Sequence, residues 1–151
     1  MTEQDSPGRE RVLAWVERVA AFVSEEWGLA PISGRILGWL MVCEPPEQTA
    51  SDIAEAIGAS RASLTTNLHL LTSHRLIRRF RKTGERNVFY TIEDDAWGKI
   101  VQQKLAIFSA FDELAAEGMR LGWRDLARTA RIRAARRSIA EVLHQVEARA
   151  E

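Results

Sequence analysis

Six side chains within ten positions carry the chemistry of this chain: Ser60, Arg61, Ser63, Thr65, Thr66 and His69. Hydroxyls, one guanidinium and one imidazole make and accept hydrogen bonds; they suit phosphate oxygens and base edges better than bond-making. A second group follows at once, with Arg79, Arg81, Lys82 and Arg86 in the same basic stretch as Arg75 and Arg78. From Ser60 to Arg86 seven Lys/Arg face one acid, Glu85, a net +6 inside a chain whose net charge is zero. The molecule as a whole is therefore no generic polyanion binder, and its attraction to phosphate must be local. Ser60 and Ser63, near a helix start, suit phosphate. Thr65, Thr66 and His69 suit base edges, whereas Asn67 falls toward the buried side.

Other chemistries find little in the sequence. There is no phosphate loop, no nucleophile beside a base and no paired acid and base, so neither enzyme activity nor a cofactor is expected. His69, His74 and His144 with one cysteine lack metal-ligand spacing. Cys43 is single, which rules out an intramolecular disulfide, and it ends an apolar helix, where it reads as a small hydrophobe. Trp15, Trp27, Trp39, Trp97 and Trp123 fit core positions at helical spacing. Their other use is to line a small-molecule pocket, which leaves room for an effector ligand.

The elements that must position these groups are legible from Thr49 to Ile92. Thr49 with Asp52 three residues on is an acidic variant of the capping box and opens a short helix burying Ile53, Ala54 and Ile57. Gly58 ends it in the left-handed conformation that glycine adopts at low cost. Ser60 caps a second helix, whose Leu64, Leu68 and Leu71 recur at helical spacing and set the inner face. Ala62, Thr65, Thr66, His69 and Ser73 then lie outward. Beyond it, Leu76-Ile77 opens one strand, and Val88, Tyr90 and Ile92 alternate along another. Gly84-Glu85 has the glycine-first form of a two-residue hairpin turn, which places Phe80 opposite Phe89.

The run from Gly28 to Ile92 resembles the MarR superfamily of winged helix-turn-helix regulators. The resemblance is carried by GRILGWL (34–40), by ASR-S-T opening at Ala59, and by the short GER wing (84–86), which point to its GbsR-like branch. His74-Arg75 stands where that family often has glycine, and the wing is shorter than the aspartate-rich wing of many members. The resemblance implies a mainly α fold with a small β-hairpin wing and N- and C-terminal dimerisation helices. It implies terminal helices interlaced across a two-fold axis, and a double-stranded DNA operator read as a palindrome.

The flanking sequence fits one chain of this type, with residues 28–92 as core and 9–27 and 94–150 as helical dimerisation elements. The helix from Arg9 to Trp27 carries Val12, Val16, Val19, Val23 and Trp27 over a broad apolar arc. Pro31 begins a strongly apolar helix that Glu44-Pro45-Pro46 stops. Gln48 to Ser51 is a candidate for a very short third strand. A long helix begins near Asp94 with Gly118 and Gly122 at its end, and a last one runs from about Trp123 to Ala150. The basic stretch Arg124 to Arg137 is read as facing Glu17, Glu25 and Glu26 across a dimer. Two-fold dimers bind half-sites roughly 34–36 Å apart, which gives these helices their purpose.

The expectation is thus a homodimeric, sequence-specific DNA-binding regulator, a repressor more than an activator. The polar, acidic start and the lack of any membrane-length apolar run make the expected location cytoplasmic. The alternative is a winged-helix module for protein–protein assembly, but such modules lose the basic wing and expose apolar residues on the outer helix face. RNA binding is disfavoured, because no aromatic platform for stacking bases stands on that face.

Overall fold

The computed structural model describes residues 7–122 and 124–150. Residues 1–6, Trp123, where the last helix was expected to begin, and Glu151 lie outside the described residues. The elements in order are α1 (Arg9–Trp27), α2 (Pro31–Val42), β1 (Gln48–Thr49), α3 (Ala50–Ile57), α4 (Arg61–Ser73), β2 (Ile77–Arg81), β3 (Val88–Ile92), α5 (Ala96–Met119) and α6 (Leu126–Ala150). The chain divides into two compact units, one up to Trp97 and one from Gly98 onward. No described helix is long and apolar enough to cross a membrane.

In the first unit α2 runs through the core. Ser33, Gly34, Ile36, Leu37, Gly38 and Leu40 are all buried. It lies tightly on α1 because two glycines face that helix. A Cβ on Gly34 would sit 2.7 Å from the Ala20 Cα, and one on Gly38 would meet Val16 at 3.3 Å. An ion pair between Arg35 and Glu17, at 2.6 Å, closes the outer edge of the same contact. Glu17, expected to meet a partner's basic stretch, is therefore engaged within its own chain.

The helix-turn-helix forms as the sequence requires. Thr49 Oγ1 accepts from the Asp52 amide while Asp52 accepts from the Thr49 amide, a complete capping box. Gly58 takes φ +66 and closes α3. The core face of α3 is Ile53 and Ala56, with Ala54 and Ile57 half-buried rather than buried, because an eight-residue helix turns only one narrow stripe inward. In α4 the expected inner face holds, with Leu64, Leu68 and Leu71 at 0–3% exposure. Arg75 follows at φ 58, left-handed without being glycine. The Leu76 amide donates to Leu71 O and the Arg75 amide to Thr72 O, both at 3.0 Å. These two bonds are the Schellman pattern, and burial of Leu71 and Leu76 beneath it holds an unfavourable backbone conformation in place.

The three strands form one antiparallel sheet in the order β1-β3-β2. The short third strand is real, but only Gln48 and Thr49 belong to it, pairing with Tyr90 and Phe89. Phe80 stands opposite Phe89 as expected, with ring centroids 6.0 Å apart. The hairpin turn differs from the expected form. The Glu85 amide donates to Lys82 O, and Gly84 at φ +81 is the second central residue after Thr83. A glycine in that place permits a type II-like turn within a six-residue loop, and the pairing sum that sets Phe80 against Phe89 is unchanged.

The second unit holds most of α5 together with α6. Helix α5 ends at Met119, between Gly118 and Gly122 as expected, and Ile132 packs at 3.3 Å from a notional Cβ on Gly118. Arg136 makes a two-pronged pair with Asp112, at 2.7 and 3.0 Å. The carboxylate holds Arg136 above its ordinary value, and Asp112 is held below the usual carboxylate range. Of the large apolar residues on α5, Ile100 is buried, Leu105 and Phe108 are half-buried, and Val101, Phe111 and Leu114 are exposed.

Candidate nucleic-acid interface

Helix α4 presents two chemically distinct sides. Its inner side is leucine; its outer side carries Arg61, Ala62, Thr65, Thr66 and His69, all exposed. Ser60 acts as the N-cap, its Oγ accepting from the Ser63 amide at 3.3 Å. Ser63 is half-buried, and its carbonyl accepts from the Asn67 side-chain amide at 2.7 Å. Thr65 donates its hydroxyl to Arg61 O at 2.8 Å, and Thr66 donates to Ala62 O at 3.2 Å. Asn67 turns inward, as its position on the helix requires, and accepts from Ser33 Oγ.

The hairpin has two unlike faces because side chains alternate along strands. On one, Arg78 lies over the Phe80 ring at 5.5 Å and Lys82 over the Phe89 ring at 4.3 Å. On the other, Arg79 stands opposite Tyr90. This second face closes a groove of about 550 Å³ with the helix-turn-helix. Arg61, Leu64 and Thr65 line it from α4, Arg79, Asn87, Val88 and Tyr90 from the wing side, and Thr49, Ala50, Ser51 and Ala54 from the start of α3. Arg61 and Arg79 thus line one concavity, from α4 and from the wing.

Of the ten residues singled out in the sequence, the groove gathers Arg61, Thr65 and Arg79. Thr66 and His69 remain outward on α4 beside it. The other wing cations have separate positions. Arg81 donates to Arg86 O at 3.1 Å and so braces the tip, Arg86 is exposed, and Lys82 lies on the opposite face against Phe89. Sequence reasoning passed over Thr49, Ser51, Asn87 and Tyr90. Tyr90 was within reach, because the Phe80–Phe89 register places it directly across from Arg79; nothing in the sequence flags Asn87.

A second hollow, of about 470 Å³, gathers Trp15, Trp27 and Trp97 with Arg18, Val19, Phe22 and Met41. Trp27 stacks edge-on with Phe22 at 5.3 Å and tilted against Trp97 at 5.1 Å. The Trp97 indole N–H is directed to Met41 Sδ at 3.0 Å. Trp39 is elsewhere, donating to Gln48 Oε1 at 3.2 Å. Among the described residues no cluster of His, Cys, Asp and Glu could hold a metal ion.

The chain is similar to known transcription regulators. No family model matches the chain. It is similar to the HTH-type transcriptional regulator MmpR5 of Mycobacterium tuberculosis, at 28% identity over 109 residues. That match covers 72% of this chain and 66%, just under two thirds, of the relative. A crystal structure of a transcriptional regulator superposes over 91% of this chain and 93% of its own, with TM-score 0.65 and 28% identity. A Staphylococcus aureus MepR–DNA complex is a remoter likeness, with TM-score 0.45 and 18% identity over 89% of this chain and 96% of its own.

Proposed function

We propose, for a chain with the winged helix-turn-helix architecture of the MarR superfamily, that it is a sequence-specific regulator of transcription that binds double-stranded DNA. The observation that carries this reading is the groove between α4 and the wing, which Arg61 and Arg79 both line beside an outer helix face of hydroxyls. In the proposed mechanism α4 enters the major groove and a phosphate strand lies in the concavity, against Arg79, Asn87 and Tyr90. Ser60, Ser63 and the tip cations Arg81 and Arg86 extend the phosphate contacts, with a lesser one from Lys82 on the opposite face, while Thr65, Thr66 and His69 meet base edges.

The working unit is a homodimer. The second unit leaves Ile107, Leu114, Leu121 and Leu126 at 60–80% exposure, apolar surface that a second copy would cover. Two heads related by a two-fold axis then read a palindrome, and occupancy of that site would repress the adjacent gene in the cytoplasm. The aromatic hollow at Trp15, Trp27 and Trp97 is the place for an effector that alters DNA affinity. Membership of the GbsR-like branch belongs to the same proposal.

The test is an equilibrium titration of fluorescent duplex DNA, single-stranded DNA and RNA at several salt concentrations. Preference for duplex, with affinity falling steeply and linearly on a log–log salt plot, is the expected result. Equal affinity for all three nucleic acids, or no salt dependence, would remove the basis for this reading.

A further inference from the structure

The hydroxyl geometry on α4 restricts which base edges that helix can read. The Arg61 and Ala62 carbonyl oxygens carry no hydrogen, so the proton in each contact belongs to the threonine, at 2.8 Å for Thr65 and 3.2 Å for Thr66. A hydroxyl has one hydrogen and two lone pairs, and with its hydrogen committed it can only accept. Both side chains are exposed, so the remaining lone pairs are open to a ligand. Turning either hydroxyl outward to donate would forfeit its bond to the helix.

No amide competes for this role on the outer face. Asn67 is the one amide side chain of α4, and it is held between Ser33 Oγ and Ser63 O. Apart from the Ser60 and Ser63 hydroxyls, which the proposed function assigns to phosphate, the outward donor groups of α4 are Arg61 at the helix start and the His69 ring. Acceptor readers therefore sit in the middle of the helix and the guanidinium at its N-terminal end. In the major groove, adenine N6 and cytosine N4 donate, whereas guanine O6 and N7 and thymine O4 accept.

Resting on the reading that α4 enters a DNA major groove, we propose that Thr65 and Thr66 select amino-bearing bases. Each accepts from adenine N6 or cytosine N4 on the strand it faces. Neither contributes to recognition of guanine or thymine through their oxygen or N7 acceptors.

The test begins with a duplex enriched from a random library by the full chain. Single bases are then replaced by analogues: purine for adenine and 2-pyrimidinone for cytosine, which delete the amino group, or 7-deazaguanine, which deletes an acceptor. Each duplex is titrated with the wild-type chain and with Thr65→Val and Thr66→Val, whose folding is checked by thermal melt. Wild-type affinity should fall about tenfold to a hundredfold when one amino group per half-site is deleted. The same deletion should cost nothing further in the matching valine variant. If the valine variants instead lose their sensitivity to 7-deazaguanine, or respond to every analogue as the wild type does, the assignment of Thr65 and Thr66 as acceptors is overturned. Failure to enrich any duplex would overturn the DNA-binding reading itself, and this inference with it.

Discussion

Ser33 on α2 donates its hydroxyl hydrogen to Asn67 Oδ1 on α4 at 2.7 Å. Ser33 is fully buried, and Asn67 passes the connection on to the first turn of α4 through its bond to Ser63 O. A helix whose inner contacts are three leucines could rotate by small steps with little loss, because apolar contact is not directional. One directed hydrogen bond between α2 and α4 fixes which residues of α4 face outward.

Ser33→Ala should therefore destabilise the chain by about 1–3 kcal/mol, since it leaves the Asn67 oxygen without its partner in a half-buried place. Thermal or urea unfolding measures this. An unchanged midpoint would mean that water replaces the serine at no cost and that the bond does not orient α4.

The α1–α2 contact makes a second prediction through its glycines. Gly34→Ala would place a methyl 2.7 Å from the Ala20 Cα, a backbone atom that cannot step aside, and should cost about 1–3 kcal/mol or more. Gly98, in the first turn of α5, has nothing within 4 Å of a notional Cβ. Gly98→Ala should be neutral or stabilising by up to about 1 kcal/mol, because alanine is the better helix former. Urea melts of the two variants compare them directly.

The starts of α3 and α4 and the inner face of α4 were legible in the sequence because caps and leucine spacing are local signals, whereas α3 was read as burying Ile53, Ala54 and Ile57 and buries Ile53 and Ala56. Thr49, Asp52, Gly58 and Ser60 all sit where their chemistry requires. The Phe80–Phe89 register was also legible, although the turn was not, since the observed turn at Thr83-Gly84 is offset from the register and the six-residue loop absorbs the difference. Three features had no local signal. The Ser33–Asn67 bond spans 34 positions, the Arg61–Arg79 groove joins two elements, and the back-bonded threonines depend on side-chain rotation. The basic run itself was visible, but only strand alternation sorted Arg79 from Lys82.

That sorting gives a third prediction. Arg79→Ala should lower duplex affinity and reduce the slope of log affinity against log salt by about one, the signature of one lost phosphate contact. Lys82→Ala removes a cation from the Phe89 ring instead, so its main effect should be a lower melting temperature with a smaller change of slope. Reversal of these two outcomes would show that the opposite face of the wing meets DNA.

Cys43 supplies a pH prediction. Burial pushes its thiol from an ordinary 9.0 up to about 11. The native chain thus holds a proton that the unfolded chain has already released between these values. Stability should fall as pH rises from about 9 towards about 11 and show no contribution from Cys43 below that window. At pH 8 alkylation of the native thiol should be slow and should accelerate on unfolding. Rapid native labelling would contradict the buried, neutral state.

The duplex that the whole chain selects is the most direct test of two-fold DNA reading. Random double-stranded DNA is incubated with the protein, bound molecules are recovered, and the enriched sequences are aligned. One half-site repeated in inverted orientation is expected, with centres about one helical turn apart, as two α4 helices on a two-fold axis require. Enrichment of a single unsymmetrical site, or recovery of the input sequences without enrichment, would contradict it.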